Sequence, residues 1–191
     1  MNFLKLFRTH SEYEEEKDRG VELPNVSHCI QEVEVHYEQK TEETRLTLIF
    51  NVTNIETQYE LFCADATVFP TELEIDGVTI PISDFESTWY DFSTTGQHTV
   101  KYKYSDNTVI PSHAFACCSG ITKVIIPNCV VSVGVNSDGW VFNGCRNLTD
   151  VVFNENTLQN VGGGTFCHCP LNTSVKEKIN RLYGQCAVDC D

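Results

Sequence analysis

Phe115, Phe142 and Phe166 stand 27 and 24 residues apart, and Cys118, Cys145 and Cys169 follow them at one constant offset of three. A recurrence of this length means that each unit is too short to bury its own apolar face and must stack on the next. After the first two cysteines comes the same short apolar pattern, Ile121 to Ile126 and then Leu148 to Phe153. Alternation places Ile121, Val124 and Ile126 inward, together with Leu148, Val151 and Phe153. A second shared element is Val130 to Gly134, matched by Leu158 to Gly162. Cysteine at such positions reads as a small buried side chain that fills space.

Ala114-Phe115, Cys118, Ile121-Thr122-Lys123-Val124, Ile126-Pro127-Asn128 and the Val-x-Ser-Val-Gly run ending at Gly134 together resemble the BspA-like leucine-rich repeat of bacterial proteins. The resemblance covers about residues 106–172, a partial turn and two more, near the minimum of ~3 repeats for such arrays. It implies a curved solenoid of parallel strands, commonly joined to immunoglobulin-like modules, with roles in attachment or protein recognition. Three departures stand out: Pro111 takes the place of a glycine, Thr165 that of an alanine, and the second repeat carries extra residues around Trp140. Trp140 is then either a contact residue on the rim or a lid folded back on the core.

Stacking the two strand patterns puts Thr122 over Thr149, Lys123 over Asp150 and Ile125 over Val152 on the outward face. These six residues and Trp140 form the candidate interaction surface. Parallel strands ~4.8 Å apart bring Lys123 beside Asp150, an exposed pair worth at most ~1 kcal/mol. The third repeat stops at Pro170-Leu171. Thr173 is expected to cap a helix over 173–184 that presents Val175, Ile179 and Leu182 to the open end of the stack, with Gly184 as its stop.

The first half has a different rhythm. From Arg45 the chain alternates, with Leu46, Leu48, Phe50 and Val52 on one face, and short strands are expected at Tyr59–Phe62, Ala66–Phe69, Glu72–Ile75, Val78–Ile80, Trp89–Phe92 and His98–Tyr104. Asp76-Gly77 has the chemistry of a two-residue hairpin turn. "YDFSTTGQHTVKYKY" resembles the closing strands of immunoglobulin-like modules of bacterial surface proteins. The fold expected is therefore mainly β: a small antiparallel β-sandwich over 45–105, then a short leucine-rich-repeat solenoid over 106–191 with its capping helix. Residues 1–44 read as an N-terminal arm containing a short helix, opened by the Thr9–Glu12 capping box and closed by Gly20.

The 191 residues carry a net charge of −14. Acid predominates between residues 41 and 105, with eleven acidic side chains against three basic ones. Such a surface repels nucleic acid and anionic membranes, which need clustered Lys and Arg. No stretch reaches transmembrane length, and the opening "MNFLKLFRTHSEYEEEKDRG" lacks the apolar core of a signal peptide, so neither membrane insertion nor an export signal is expected on this chain.

No residue set points to a reaction. Cys167-His168-Cys169, even with Cys186 and Cys190 nearby, has one residue between its first two cysteines where zinc knuckles have two to four, and Cys169 is committed to the repeat core. A disulfide between Cys186 and Cys190 stays open. His28 and Cys29 are adjacent and point apart on a strand, Gly162-Gly163-Gly164 belongs to a repeat turn, and Glu72 and Glu74 read as solvated charge. No cofactor is expected. The reading is a noncatalytic protein that recognises another protein or a glycan. The alternative is a structural protein of a bacteriophage or prophage, because "FLKLFRTHSEYEEEKD", "LPNVSHC" and "EVHY" resemble N-terminal stretches of such proteins; residues 1–40 would then serve assembly. An enzyme of unrecognised type ranks third.

Overall fold

The computed structural model describes residues 43–84, 87–134 and 139–188. The expected N-terminal arm up to residue 42, with the helix and the assembly role expected of it, lies outside them, as do His28-Cys29 and Cys190. Among the described residues the fold is mainly β with one α-helix near the C-terminus.

Strand β1 (Leu46–Val52) buries Leu46, Leu48, Phe50 and Val52, as its alternation predicts. It pairs antiparallel with β6 (Gly96–Lys103), which pairs with β3 (Glu72–Ile75), which pairs with β4 (Val78–Pro81). The β3–β4 hairpin turns at Asp76 and Gly77 with φ of 50° and 85°, the left-handed pair that a tight turn needs and glycine supplies readily. A separate ribbon joins β2 (Tyr59–Glu60) to β5 (Trp89–Tyr90). Ala66–Phe69, expected as a strand, forms none. Its backbone bonds run to Cys63 and Ser112 rather than along a ladder, and Val68 and Phe69 stay exposed.

The other edge of β1 carries β8 (Ile121–Ile125), again antiparallel, and β8 pairs parallel with β10 (Asp150–Val152). One six-stranded sheet, in the order β10-β8-β1-β6-β3-β4, therefore crosses the position near residue 105 where the sequence changes rhythm. Residues 42–191 form one compact unit with a single apolar core that includes Leu48, Leu73, Phe115 and Leu148. A second ladder, all parallel, is formed by β7 (Val109–Ile110), β9 (Ser132–Val133) and β11 (Asn160–Val161).

The recurring Phe-x-x-Cys turns form a third stacked row. Phe115 N–H donates to the Val141 carbonyl, Phe142 N–H to Thr165 and Phe166 N–H to Ala187. Their rings are parallel, with centroids 5.2 Å apart for Phe115–Phe142 and 5.5 Å for Phe142–Phe166. Tyr102 of β6 begins the column, edge-on to Phe115 at 4.9 Å. Its hydroxyl donates to the Leu61 carbonyl at 2.7 Å, so the buried phenol is satisfied.

Helix α1 (Thr173–Tyr183) follows the last turn. The N-cap is Asn172 rather than Thr173, and no side chain caps it; the Asn172 N–H instead donates to the Thr149 carbonyl, tying the helix start to the lead-in of β10. Ile179 is buried and Val175 half-buried, but Leu182 faces outward. Tyr183, one turn beyond Ile179, takes the inward place, its hydroxyl donating to the Leu158 carbonyl at 2.9 Å. Lys178 adds a cation–π contact, with Nζ 4.1 Å from the centre of the Phe153 ring. No helix among the described residues is long and apolar enough to cross a membrane.

Candidate functional site

The parallel register sets Lys123 beside Asp150 and Ile125 beside Val152, as the stacking of the two patterns predicts. Lys123 Nζ lies 2.8 Å from Asp150 Oδ2, with both side chains more than a third exposed. Ile125 and Val152 are 36% and 43% exposed. Two adjacent branched aliphatics open to solvent on a rigid sheet form a small apolar strip.

The sequence does not reveal what borders that strip. Thr47 of β1 pairs with Ile125 on one side and Lys101 on the other, and Lys101 pairs with Glu74. One row across the sheet thus reads Glu74, Lys101, Thr47, Ile125, Val152. Ile125, Val152, Asn128, Asn154, Arg45 and Glu43 line a groove of about 370 Å³. Its charged rim is a linked set: Arg45 reaches Glu74 at 2.7 Å and Glu43 at 2.9 Å, while Lys101 reaches Glu43 at 2.8 Å and Glu74 at 3.2 Å. The hydrogen bond from Arg45, with help from Lys101, holds the Glu43 carboxyl at about 2, although partial burial opposes the shift. For Glu74, burial raises the carboxyl, but the bonds and charges of Lys101 and Arg45 outweigh it and the net shift is down.

Thr122 and Thr149 belong to a different place. A bulge in the β1–β8 ladder between Ile49 and Phe50 turns Thr122 aside, and its hydroxyl donates to the Ile49 carbonyl at 3.2 Å. Thr149 N–H donates to the Thr122 carbonyl. Both threonines line a second recess, of about 480 Å³, with Asn51, Thr53, Tyr59 and Asn147. Trp140 joins neither. Its ring lies against Gly164, whose missing Cβ would sit 2.7 Å from Trp140 Cε3, so it covers the repeat turn in the manner of a lid.

The sulfurs are mostly occupied in packing. Cys118 and Cys145 are fully buried, and burial pushes both thiols well above their ordinary range, so they remain protonated donors. Cys145 Sγ donates to the Phe115 carbonyl at 3.1 Å and Cys169 Sγ to the Phe142 carbonyl at 3.0 Å. In the second and third turns Phe-x-x-Cys is thus a bonding unit as well as a packing one, Cys145 and Cys169 each tying its turn to the preceding Phe, whereas Cys118 bonds the Ala116 carbonyl within its own turn.

Cys167 is disulfide-bonded, its partner lying outside the described residues, and is therefore no thiolate ligand. Cys186 is a free, exposed thiol. Among the described residues no group of three or more His, Cys, Asp or Glu side chains is placed to hold a metal ion. Glu72 stands 4.0 Å from Lys103 and Glu74 is held in the rim, an electrostatic arrangement of sheet-surface charge.

A family model described as a BspA type leucine rich repeat region of six copies matches residues 66–190. The match starts well before the repeats legible from residue 106 and takes in β3, β4 and β6 of the antiparallel half. No curated protein and no solved structure matches the chain.

Proposed function

The chain belongs to the BspA-type leucine-rich repeat family, and from that premise we propose that it is a noncatalytic recognition protein whose partner is another protein. Membership points to protein binding or adhesion as the class of role. The observation that carries the reading here is the exposed Ile125–Val152 strip beside the Glu43–Arg45–Lys101–Glu74 rim. An apolar centre with a charged border is the usual anatomy of a protein-recognition patch. A patch of this size is small against a standard interface of ~800 Å² per partner, so it serves as the anchor of a larger contact.

Residues 106–191 are best understood as a short solenoid. Two parallel ladders and the Phe column support that description. An immunoglobulin-like sandwich over 45–105 has narrower support, from the antiparallel strands and the Asp76-Gly77 hairpin. The acidic balance argues against nucleic acid as partner. The virion-assembly reading depends on residues 1–40 and draws no support from the described residues.

The test is quantitative affinity capture from the native source with the wild-type chain and an Ile125→Asp/Val152→Asp variant. Both side chains are partly exposed, at 36% and 43%, and circular dichroism of the variant verifies that it is folded before capture. The reading expects protein partners enriched on the wild type and reduced at least tenfold on the variant. Equal recovery on both would place recognition elsewhere.

A further inference from the structure

The recess beside Tyr59 has a chemical character unlike that of the Ile125–Val152 groove. It opens at the opposite end of the β1–β8–β10 strands, where Asn51 lies one residue before the end of β1 and Thr122 one residue after the start of β8. No charged side chain lines it. The nearest ladder charges, Lys123 and Asp150, are paired with each other at 2.8 Å. Hydroxyls and carboxamides supply the polar lining, from Asn51, Thr53, Thr122, Asn147 and Thr149, and the Tyr59 ring forms an aromatic wall.

That wall is fixed in place. The Tyr59 hydroxyl accepts hydrogen bonds from Thr53 N–H at 3.0 Å and Asn54 N–H at 3.3 Å, and the ring stands edge-on to Phe92 at 5.8 Å. Gly120 admits it closely: a Cβ there would lie 2.7 Å from Tyr59 Cδ1. The Asn147 amide is oriented as well, Nδ2 donating to the Ser119 carbonyl at 2.7 Å, which presents Oδ1 as an acceptor. The Thr122 and Thr149 hydroxyls give their protons to the Ile49 and Thr122 carbonyls and keep their lone pairs as acceptors.

Lining chemistry selects the ligand by elimination. An anion needs cationic groups, and a metal ion needs carboxylates; the lining has neither. A purely apolar ligand would strand the amides and hydroxyls without partners. What matches is a neutral molecule with many hydroxyls, each able to donate and accept, and one face of C–H groups for the electron-rich face of an aromatic ring. The volume of about 480 Å³ falls within the ~300–1,000 Å³ of small-molecule sites. We propose that this recess binds a neutral carbohydrate, with the Tyr59 ring against the sugar's C–H face and Asn51, Asn147 and Thr149 bonding its hydroxyls. The site is independent of the protein-recognition groove, and the failure of either reading leaves the other standing.

The experiment is a titration of the full chain, followed by amide NMR, with lactose, cellobiose, maltose, mannobiose and chitobiose in turn. An open recess of this kind is expected to bind with a Kd of ~1 mM, so each sugar is carried to ~50 mM. At least one sugar should give saturable shifts centred on the amides of Gly120, Thr122, Asn147 and Thr149. An Asn51→Ala/Thr149→Val variant, changed only at exposed positions, should bind that sugar at least tenfold more weakly while the rest of its spectrum is unchanged. The proposal is overturned if no sugar gives saturable shifts at those amides, if the variant binds equally well, or if sodium phosphate or acetate shifts the same amides as strongly as the sugars.

Discussion

Cys145 Sγ lies 3.1 Å from the carbonyl oxygen of Phe115, a residue of the preceding turn. A thiol at this position fills the space beside the Phe column and also satisfies a buried acceptor. Cys145→Ala removes both, and the combined loss of a hydrogen bond and a sulfur-sized volume should destabilise the chain by about 1–3 kcal/mol. Urea unfolding followed by circular dichroism measures it. A midpoint equal to that of the wild type would mean that the ladder of thiols contributes nothing.

Thiol chemistry should separate the cysteines into classes. Cys117 and Cys186 are exposed, whereas Cys118 and Cys145 are buried with their thiols pushed above the ordinary range. Only thiolates react readily. Brief alkylation at neutral pH, mapped by peptide mass spectrometry, should label Cys117 and Cys186 first and leave Cys118 and Cys145 unlabelled until denaturant is added. Early labelling of Cys145 would contradict the packing described.

Acid should dismantle the charged rim in a defined window. Glu43 titrates at about 2 in the folded chain, against ~4.3 for a free glutamate. A lowered carboxyl contributes stability that is complete above the unfolded value and disappears as pH falls through the folded one, here between ~4.3 and about 2. Because the Glu43 side chain is 41% exposed, solvent and salt screen most of the effect on global stability. A carboxyl-detected NMR titration resolves it directly. Arg45→Gln should bring Glu43 and Glu74 upward toward the usual carboxylate range, and unchanged titration of both would remove Arg45 from the account.

Gly164 adopts φ of 65° and lies under the Trp140 ring. Gly164→Ala therefore combines a strained backbone with a steric clash and should cost ~1 kcal/mol or more. It should also displace the indole, moving the tryptophan emission toward longer wavelength. Trp89 is already 48% exposed and serves as the unperturbed component. An unshifted spectrum would show that Trp140 does not rest where described.

The repeat half was legible because its information is periodic. Equal offsets of Phe and Cys suffice to set Lys123 beside Asp150 and Ile125 beside Val152, the register that the parallel ladder has. Pairing across long separations was not legible. Alternation marks Leu46 to Val52 as a strand with one buried face, yet carries no information about its neighbours, and only the structure reveals that both β6 and β8 flank it. That pairing brings Thr47, Arg45 and Glu43 to the candidate site. The bulge at Thr122 was equally invisible, since one displaced residue leaves the local pattern of Ile121 and Val124 intact while separating Thr122 and Thr149 from the apolar strip. At the helix, spacing points to Val175, Ile179 and Leu182, whereas Tyr183 takes the last inward place because its phenol reaches a carbonyl that no spacing rule foresees.

The central claim, that the Ile125–Val152 strip engages a protein, is tested most directly by placing a photo-crosslinking amino acid at Val152 and, as a control, at Val78, which is more solvent-exposed still and lies on the far edge of the same sheet. Irradiation in the native source should give a discrete protein adduct from position 152 that is absent from position 78 and abolished by Ile125→Asp. Identical products from both positions, or none from position 152, would contradict the claim.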